Sequence, residues 1–270
     1  MKTNTLLLLF ILIVSNLYSQ TPRFAASQAT QDLQDAQKAF EKYNPGLYIL
    51  MDRNEWLHIN DSLQTSIGVD SISGIEVYKK MAYLVARCRE RHIKIGFETQ
   101  KPDHWLLSSM QQPDALMPFI LWIQADSAWI LANLSEDTTI ARGLPVTAIN
   151  NEPIQTVLAR LKPYIGMDGN NPAGRDHELS RFWIYYYYFF SPQSDSYIIE
   201  VSDQGRKLQF VTKAAPLDSL AIRLKKRLSR QPDPLYQFTW HDSLKLALVR
   251  YGSFNSKRHK KELKQSPKKL

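Results

Sequence analysis

Leu33, Ala36, Ala39 and Phe40 recur three and four residues apart, the spacing of one helical face, within residues 25–43. Asn44-Pro45-Gly46 stops that helix, because Pro lacks the N–H the ladder needs and Gly favours a turn. A second helix is predicted over 52–65 and a third over 74–91, where Val77, Met81, Leu84, Val85 and Cys88 form one stripe. Ser71 and Ser73 offer N-cap oxygens for the third helix, and basic residues gather at its end, where the helix dipole favours cations. Alternation with period two then predicts a strand over 93–97. Further strands are read at 119–124 and 128–132, joined by a hairpin, and at 146–149 between Gly143 and the polar turn Asn150-Asn151. Helices over 154–161, 176–190 and 217–228, a hairpin around Gln204-Gly205 and a strand over 244–250 complete the pattern.

The ends of the chain differ in character from its body. Lys2 precedes an unbroken apolar run, Leu6 to Val14, and a short polar exit at 15–19. That run is shorter than the roughly 20 residues a spanning helix needs and matches the apolar region of a secretory signal. The expectation is therefore export to the periplasm or beyond, without a stable membrane anchor. The net charge of +8 is concentrated at the other end, where residues 256–270 carry +6. A near-neutral body with a basic tail gives no reason to expect nucleic acid as a partner.

Composition narrows the chemistry further. The chain has 270 residues, 44% of them hydrophobic, enough for about two domains on a prior of roughly 150 residues each. One cysteine, Cys88, excludes an internal disulfide, and its place on an apolar stripe reads as an inert core thiol. The six histidines form no helical metal pair, so no metal or other cofactor is expected. His92 stands at a helix-to-strand junction, and Asp176-His177-Glu178 reads as an exposed helix start. No Gly-x-Ser-x-Gly elbow is present, and the lysines cluster at 225–226 and in the tail, where a neutral amine for a Ser/Lys dyad is least expected. Residues 183–190 are aromatic but for Ile184; consecutive helical side chains point all round, so burial explains them better than a stacking platform.

Taken in order, these segments resemble the N-terminal part of exported C-terminal-processing (tail-specific) serine peptidases of Bacteroidetes type. The motifs that carry the resemblance are Pro45-Gly46-Leu47-Tyr48, the His of Glu90-Arg91-His92-Ile93, and Asp168-Gly169-Asn170. Gly143-Leu144-Pro145-Val146-Thr147-Ala148-Ile149-Asn150-Asn151-Glu152-Pro153-Ile154 is similar to the Gly-x-x-Ile-x-x-Ile-Asn-Gly-x-Pro-Ile pattern of the PDZ-like module in that family. The resemblance implies an α+β fold: a helical domain over 20–91, a PDZ-like β-sandwich or barrel module with helices over 92–215, a linker helix and strand over 216–254, and a detached basic helix over 255–270.

It also implies truncation ahead of the catalytic domain. No catalytic residue is carried over, because the family's Ser and Lys lie beyond the segments matched here. The function implied is binding of polypeptide C-termini without proteolysis by this chain alone. The peptide would lie along Pro118, Phe119, Ile120 and Leu121, beside the helix 154–161, with Gly143, Ile149 and Asn150 in support. Two alternatives stand: one half of a split serine peptidase, and an envelope protein that binds anionic surfaces through its basic tail.

Overall fold

The computed structural model describes residues 22–90, 92–93, 95, 105–113, 115–227 and 236–251. The leading segment, the basic tail, His104, His259 and most of the strand expected over 93–97 lie outside those residues.

Three residues of extended chain, β1 (Arg23–Ala25), lead into α1 (Ala26–Tyr43), which ends at Asn44. A single turn, α2 (Leu47–Leu50), precedes α3 (Arg53–Thr65). Asp52 starts α3 by accepting from the N–H groups of Asn54 at 2.8 Å and Glu55 at 3.1 Å. After β2 (Ser71–Ser73), which pairs antiparallel with β1, Ser73 caps α4 (Gly74–Arg87). Leu33, Leu47, Trp56, Leu84 and Cys88 form the core of this helical part. Helix α4 is two-faced: Val77, Met81, Leu84 and Cys88 face that core, while Tyr78 and Ala82 belong to the next one.

A short helix, α5 (Trp105–Met110), comes before the sheet. The sheet holds β3 (Phe119–Gln124), β4 (Ser127–Asn133), β5 (Pro145–Ile149), β7 (Ser196–Asp203) and β8 (Arg206–Lys213) in that spatial order, with β6 (Glu152–Pro153) beside β5. All its pairings are antiparallel. Between β6 and β7 run α6 (Ile154–Leu161), a 3₁₀ turn (Lys162–Tyr164), α7 (Pro172–Arg181) and α8 (Trp183–Phe190). Helix α9 (Leu217–Arg227) follows β8.

The fold is α+β, a helical N-terminal part followed by a six-stranded sheet, and no barrel is closed. A single bridge joins Leu116 to Ala215, with reciprocal hydrogen bonds of 3.1 and 2.9 Å, ahead of β3 and beyond β8. The helix expected as one piece over 176–190 is two: Phe182, at φ −116° and ψ 25°, leaves the helical region and separates α7 from α8. The aromatic run is buried as its all-round pattern requires, with Trp183, Tyr187, Tyr188, Phe189 and Phe190 in the core.

The chain up to Leu224 forms one compact unit, and the stretch from Lys225 forms another. In the second, β9 (Tyr236–His241) and β10 (Leu246–Tyr251) pair antiparallel through a 3₁₀ turn at Asp242–Leu244.

Candidate functional site

Strand β3 is one edge of the sheet, so its backbone could receive an added strand wherever nothing already covers it. Helix α7 covers its C-terminal half. Ser180 Oγ accepts from the Ile123 N–H at 2.8 Å, and Asp176 Oδ2 accepts from the Ala125 N–H at 2.8 Å. Residues four apart on a helix share a face and alternate strand N–H groups point the same way, so Asp176 and Ser180 act as a substitute strand. Lys162 Nζ completes the cap, donating to the Ala125 carbonyl at 2.7 Å and to Asp126 at 3.1 Å, with Asp176 Oδ1 at 3.7 Å. The last distance makes an ion pair too long to be a hydrogen bond.

This placement corrects the expectation of an exposed helix start at 176–178. Asp176 and Glu178 are buried and only His177 faces solvent. Asp176, Leu179, Ser180 and Trp183 fall at i, i+3, i+4 and i+7, a helical-face signal that was present in the sequence but concealed by its polar members.

The N-terminal half of β3 is the stretch expected to hold a peptide. Pro118, Phe119 and Leu121 are buried, whereas Ile120 is half-buried and forms part of the wall of an apolar pocket of about 170 Å³. Leu134, the α7–α8 break at Arg181 to Tyr185, and Leu217, Leu220, Ala221 and Leu224 of α9 supply the rest of that wall. A cavity of about 150 Å³ suffices for one aromatic ring, so the space fits a single large side chain. Trp183 is 1% exposed and its Nε1, itself buried, has no acceptor among the described residues.

Gly143, Ile149 and Asn150 line no part of this pocket. Gly143, at φ +83°, donates its N–H to the Ile130 carbonyl at 2.8 Å and turns the chain into β5. Ile149 is fully buried. Asn150 docks the β5–β6 turn on β7, where its Oδ1 accepts from the Ile198 N–H and its own N–H reaches the Ile198 carbonyl, each at 2.8 Å.

Two of the short motifs meet although they are far apart in sequence. The Gly169 N–H donates to the Arg89 carbonyl at 2.9 Å, and Arg89 Nη1 donates to Asn170 Oδ1 at 3.0 Å. Alongside, Glu90, His92 and Asp168 bring ligand-type atoms within 4.8 Å of one another. His92 Nδ1 lies 2.7 Å from Glu90 Oε1, which also accepts the His92 backbone N–H at 3.0 Å. A carboxylate only accepts, so Nδ1 carries the proton and the imidazole is held in one orientation. These two bonds, the backbone one first, hold the Glu90 carboxyl below its ordinary range. The His92 side chain is 92% exposed, which gives an oriented imidazole open to solvent.

A serine–lysine pair that sequence reasoning missed lies in the helical part. Lys80 Nζ donates to Ser66 Oγ beside a pocket of about 390 Å³ whose wall includes His58, Glu76 and Tyr83. Burial lowers the Lys80 amine below its ordinary value, with Glu76 opposing. The proton inventory excludes a nucleophile here: Ser66 Oγ donates to the Leu63 carbonyl at 2.7 Å, so its hydrogen points away from the amine. Cys88 is equally inert, since burial pushes its thiol up to about 12.

No protein-family model and no curated protein sequence matches the chain. Among solved structures, a point mutant of CPAF aligns at TM-score 0.50 and 15% identity over 71% of this chain and 34% of that one. The relationship is one of fold. It is a distant likeness to a serine protease of tail-specific type. Mature CPAF, alone and complexed with lactacystin, aligns at TM-score 0.49 and 14% identity over 77% of this chain. The chain spans between 34% and 39% of the length of these CPAF chains.

Proposed function

We propose that this chain is a peptide-binding part of a tail-specific-protease-like protein, taking the C-terminal residue of a polypeptide at the N-terminal half of β3. The observation that carries the reading is the apolar pocket beside Ile120, at the part of the edge that the α7 caps at Ile123 and Ala125 do not reach. An apolar terminal side chain fills the pocket. Arg181 makes no ion pair among the described residues and lies at the same pocket, suited to the terminal carboxylate. The chain itself supplies no nucleophile in this reading.

The test titrates a fluorescent decapeptide ending in Phe with a free carboxylate against the same peptide with an amidated end. The free acid should bind about fivefold tighter, the scale of an exposed charge pair, and Arg181→Gln should abolish the difference. Equal binding of both peptides, or of neither, rejects the proposal.

A second reading, half of a serine peptidase completed by another chain, is favoured by the Glu90–His92 pair. Its imidazole is oriented as a general base would be and faces solvent, with no serine placed against it among the described residues. The DNA immediately downstream decides this reading. It should encode, in frame or shifted, a strand, a glycine-rich turn and a Ser/Lys pair.

A further inference from the structure

Among the described residues strand β8 is the other edge of the sheet, and its register states which of its backbone groups face away from β7. The β7–β8 turn is Gln204-Gly205, both at positive φ, so Asp203 and Arg206 flank a two-residue hairpin and exchange hydrogen bonds. Hydrogen-bonded pairs then alternate along the ladder at Val201–Leu208, Ile199–Phe210 and Tyr197–Thr212. Ala214 N–H to the Asp195 carbonyl, at 2.8 Å, continues the same alternation. Lys207, Gln209, Val211 and Lys213 occupy the intervening positions, where N–H and C=O point away from β7. Opposite Val211, the Ile198 backbone is indeed engaged on its other side by Asn150. All four residues are exposed, Val211 at 69%.

We propose that this edge takes an extended acidic peptide as an added strand, on a different strand from the pocket residue Ile120 of β3. Arg206, Lys207 and Lys213 give the strand three cations and no anion. Lys207 pairs with Glu200 at 3.1 Å, whereas Arg206 and Lys213 make no ion pair among the described residues. The same charges exclude a second copy as the occupant, because two-fold antiparallel pairing of the outward positions of β8 with themselves sets Lys207 against Lys213, and like charges directly opposite destabilise. The occupant is therefore a strand of opposite charge, held by main-chain hydrogen bonds and steered by acidic side chains.

The experiment uses the full chain and a fluorescent eight-residue peptide of alternating Thr and Val with Glu at both ends, against a twin with Lys in place of Glu. The Glu peptide should bind about tenfold or more tightly than the twin, and added salt should weaken it. Val211→Pro removes an N–H that the ladder does not use, so the circular dichroism and melting curve should be retained while affinity falls about tenfold. Gln209→Pro should repeat that result from a second outward position. In the unmodified chain, hydrogen exchange at the Lys207, Gln209 and Val211 amides should slow when the Glu peptide is added, a readout independent of how either variant folds. Arg181→Gln should leave this binding unchanged, which separates it from the pocket reading. Equal binding of the twins, no binding of the Glu peptide, unchanged exchange at those amides, or full affinity in both proline variants overturns the proposal.

Discussion

At the scale of single residues, the buried polar groups settle most of what is decisive. Ser180, 4% exposed, accepts from the Ile123 N–H and donates to the Asp176 carbonyl at 2.9 Å. Ser180→Ala strands a buried N–H, so stability should fall by about 1–3 kcal/mol with an unchanged denaturant slope, read from urea unfolding. Cys88 gives the complementary test, in pH. The folded chain holds its thiol proton to about pH 12, and the unfolded chain releases it near the ordinary value. Stability is thus fully present below the unfolded pKa and falls as pH rises from there towards the folded one. Cys88→Ala should flatten the start of that alkaline decline, before the buried hydroxyls of Tyr78, Tyr186 and Tyr187, also raised by burial, contribute. Iodoacetamide should leave the native thiol unmodified and label it in urea. Cys88 was legible in the sequence because an apolar stripe announces a core thiol. Asp176 was not, because the signal for a carboxylate that caps a distant strand is the strand, 51 residues away.

At the scale of elements, legibility followed length and period. Helix α6 falls where its pattern placed it, and β3 and β4 lie on apolar runs, β7 and β8 on a hairpin, each bounded by turn residues. Strands β1 and β2 escaped notice because each has three residues and is held by remote partners, such as Arg23 Nε to Ser71 Oγ at 3.0 Å. The polar turn stands where its residues place it, and its geometry carries a cost. Asn150 and Asn151 sit at φ +48° and +63°, the geometry of a hairpin turn that prefers Asn-Gly. Asn151→Gly should therefore stabilise the chain by about 0.5–1 kcal/mol, raising the melting temperature by about 1–4 °C. Asn150→Ala should act in the opposite sense and more strongly, about 1–3 kcal/mol, since it keeps the unfavourable φ and also removes the acceptor for Ile198 N–H. Differential scanning calorimetry of both variants checks the sign at each position.

At the scale of the molecule, the candidate pocket was half legible. Its strand, with Ile120, came from the sequence pattern; its other walls, the α7–α8 break and α9, are brought there by tertiary packing that no local period encodes. The β9–β10 ribbon raises a further question of the same kind. Its register places Phe238 opposite Val249 and Trp240 opposite Ala247 on one face, and Leu248 opposite Thr239 and Leu246 opposite His241 on the other. Phe238, Trp240, Leu246, Leu248 and Val249 are each 44–52% exposed, so both faces present apolar surface. A two-stranded ribbon is marginal in water and gains stability when its faces are covered. The isolated chain should therefore bind an apolar dye such as ANS and self-associate as concentration rises, read by sedimentation velocity. Replacing Phe238, Trp240 and Leu248 together by Ser should reduce both signals while leaving the main melting transition, which belongs to the unit ending at Leu224, within about 1 kcal/mol of its starting stability. If the triple variant still bound the dye and sedimented as before, the sticky surface would lie elsewhere on the molecule, and the ribbon would have to be stable with both faces wet.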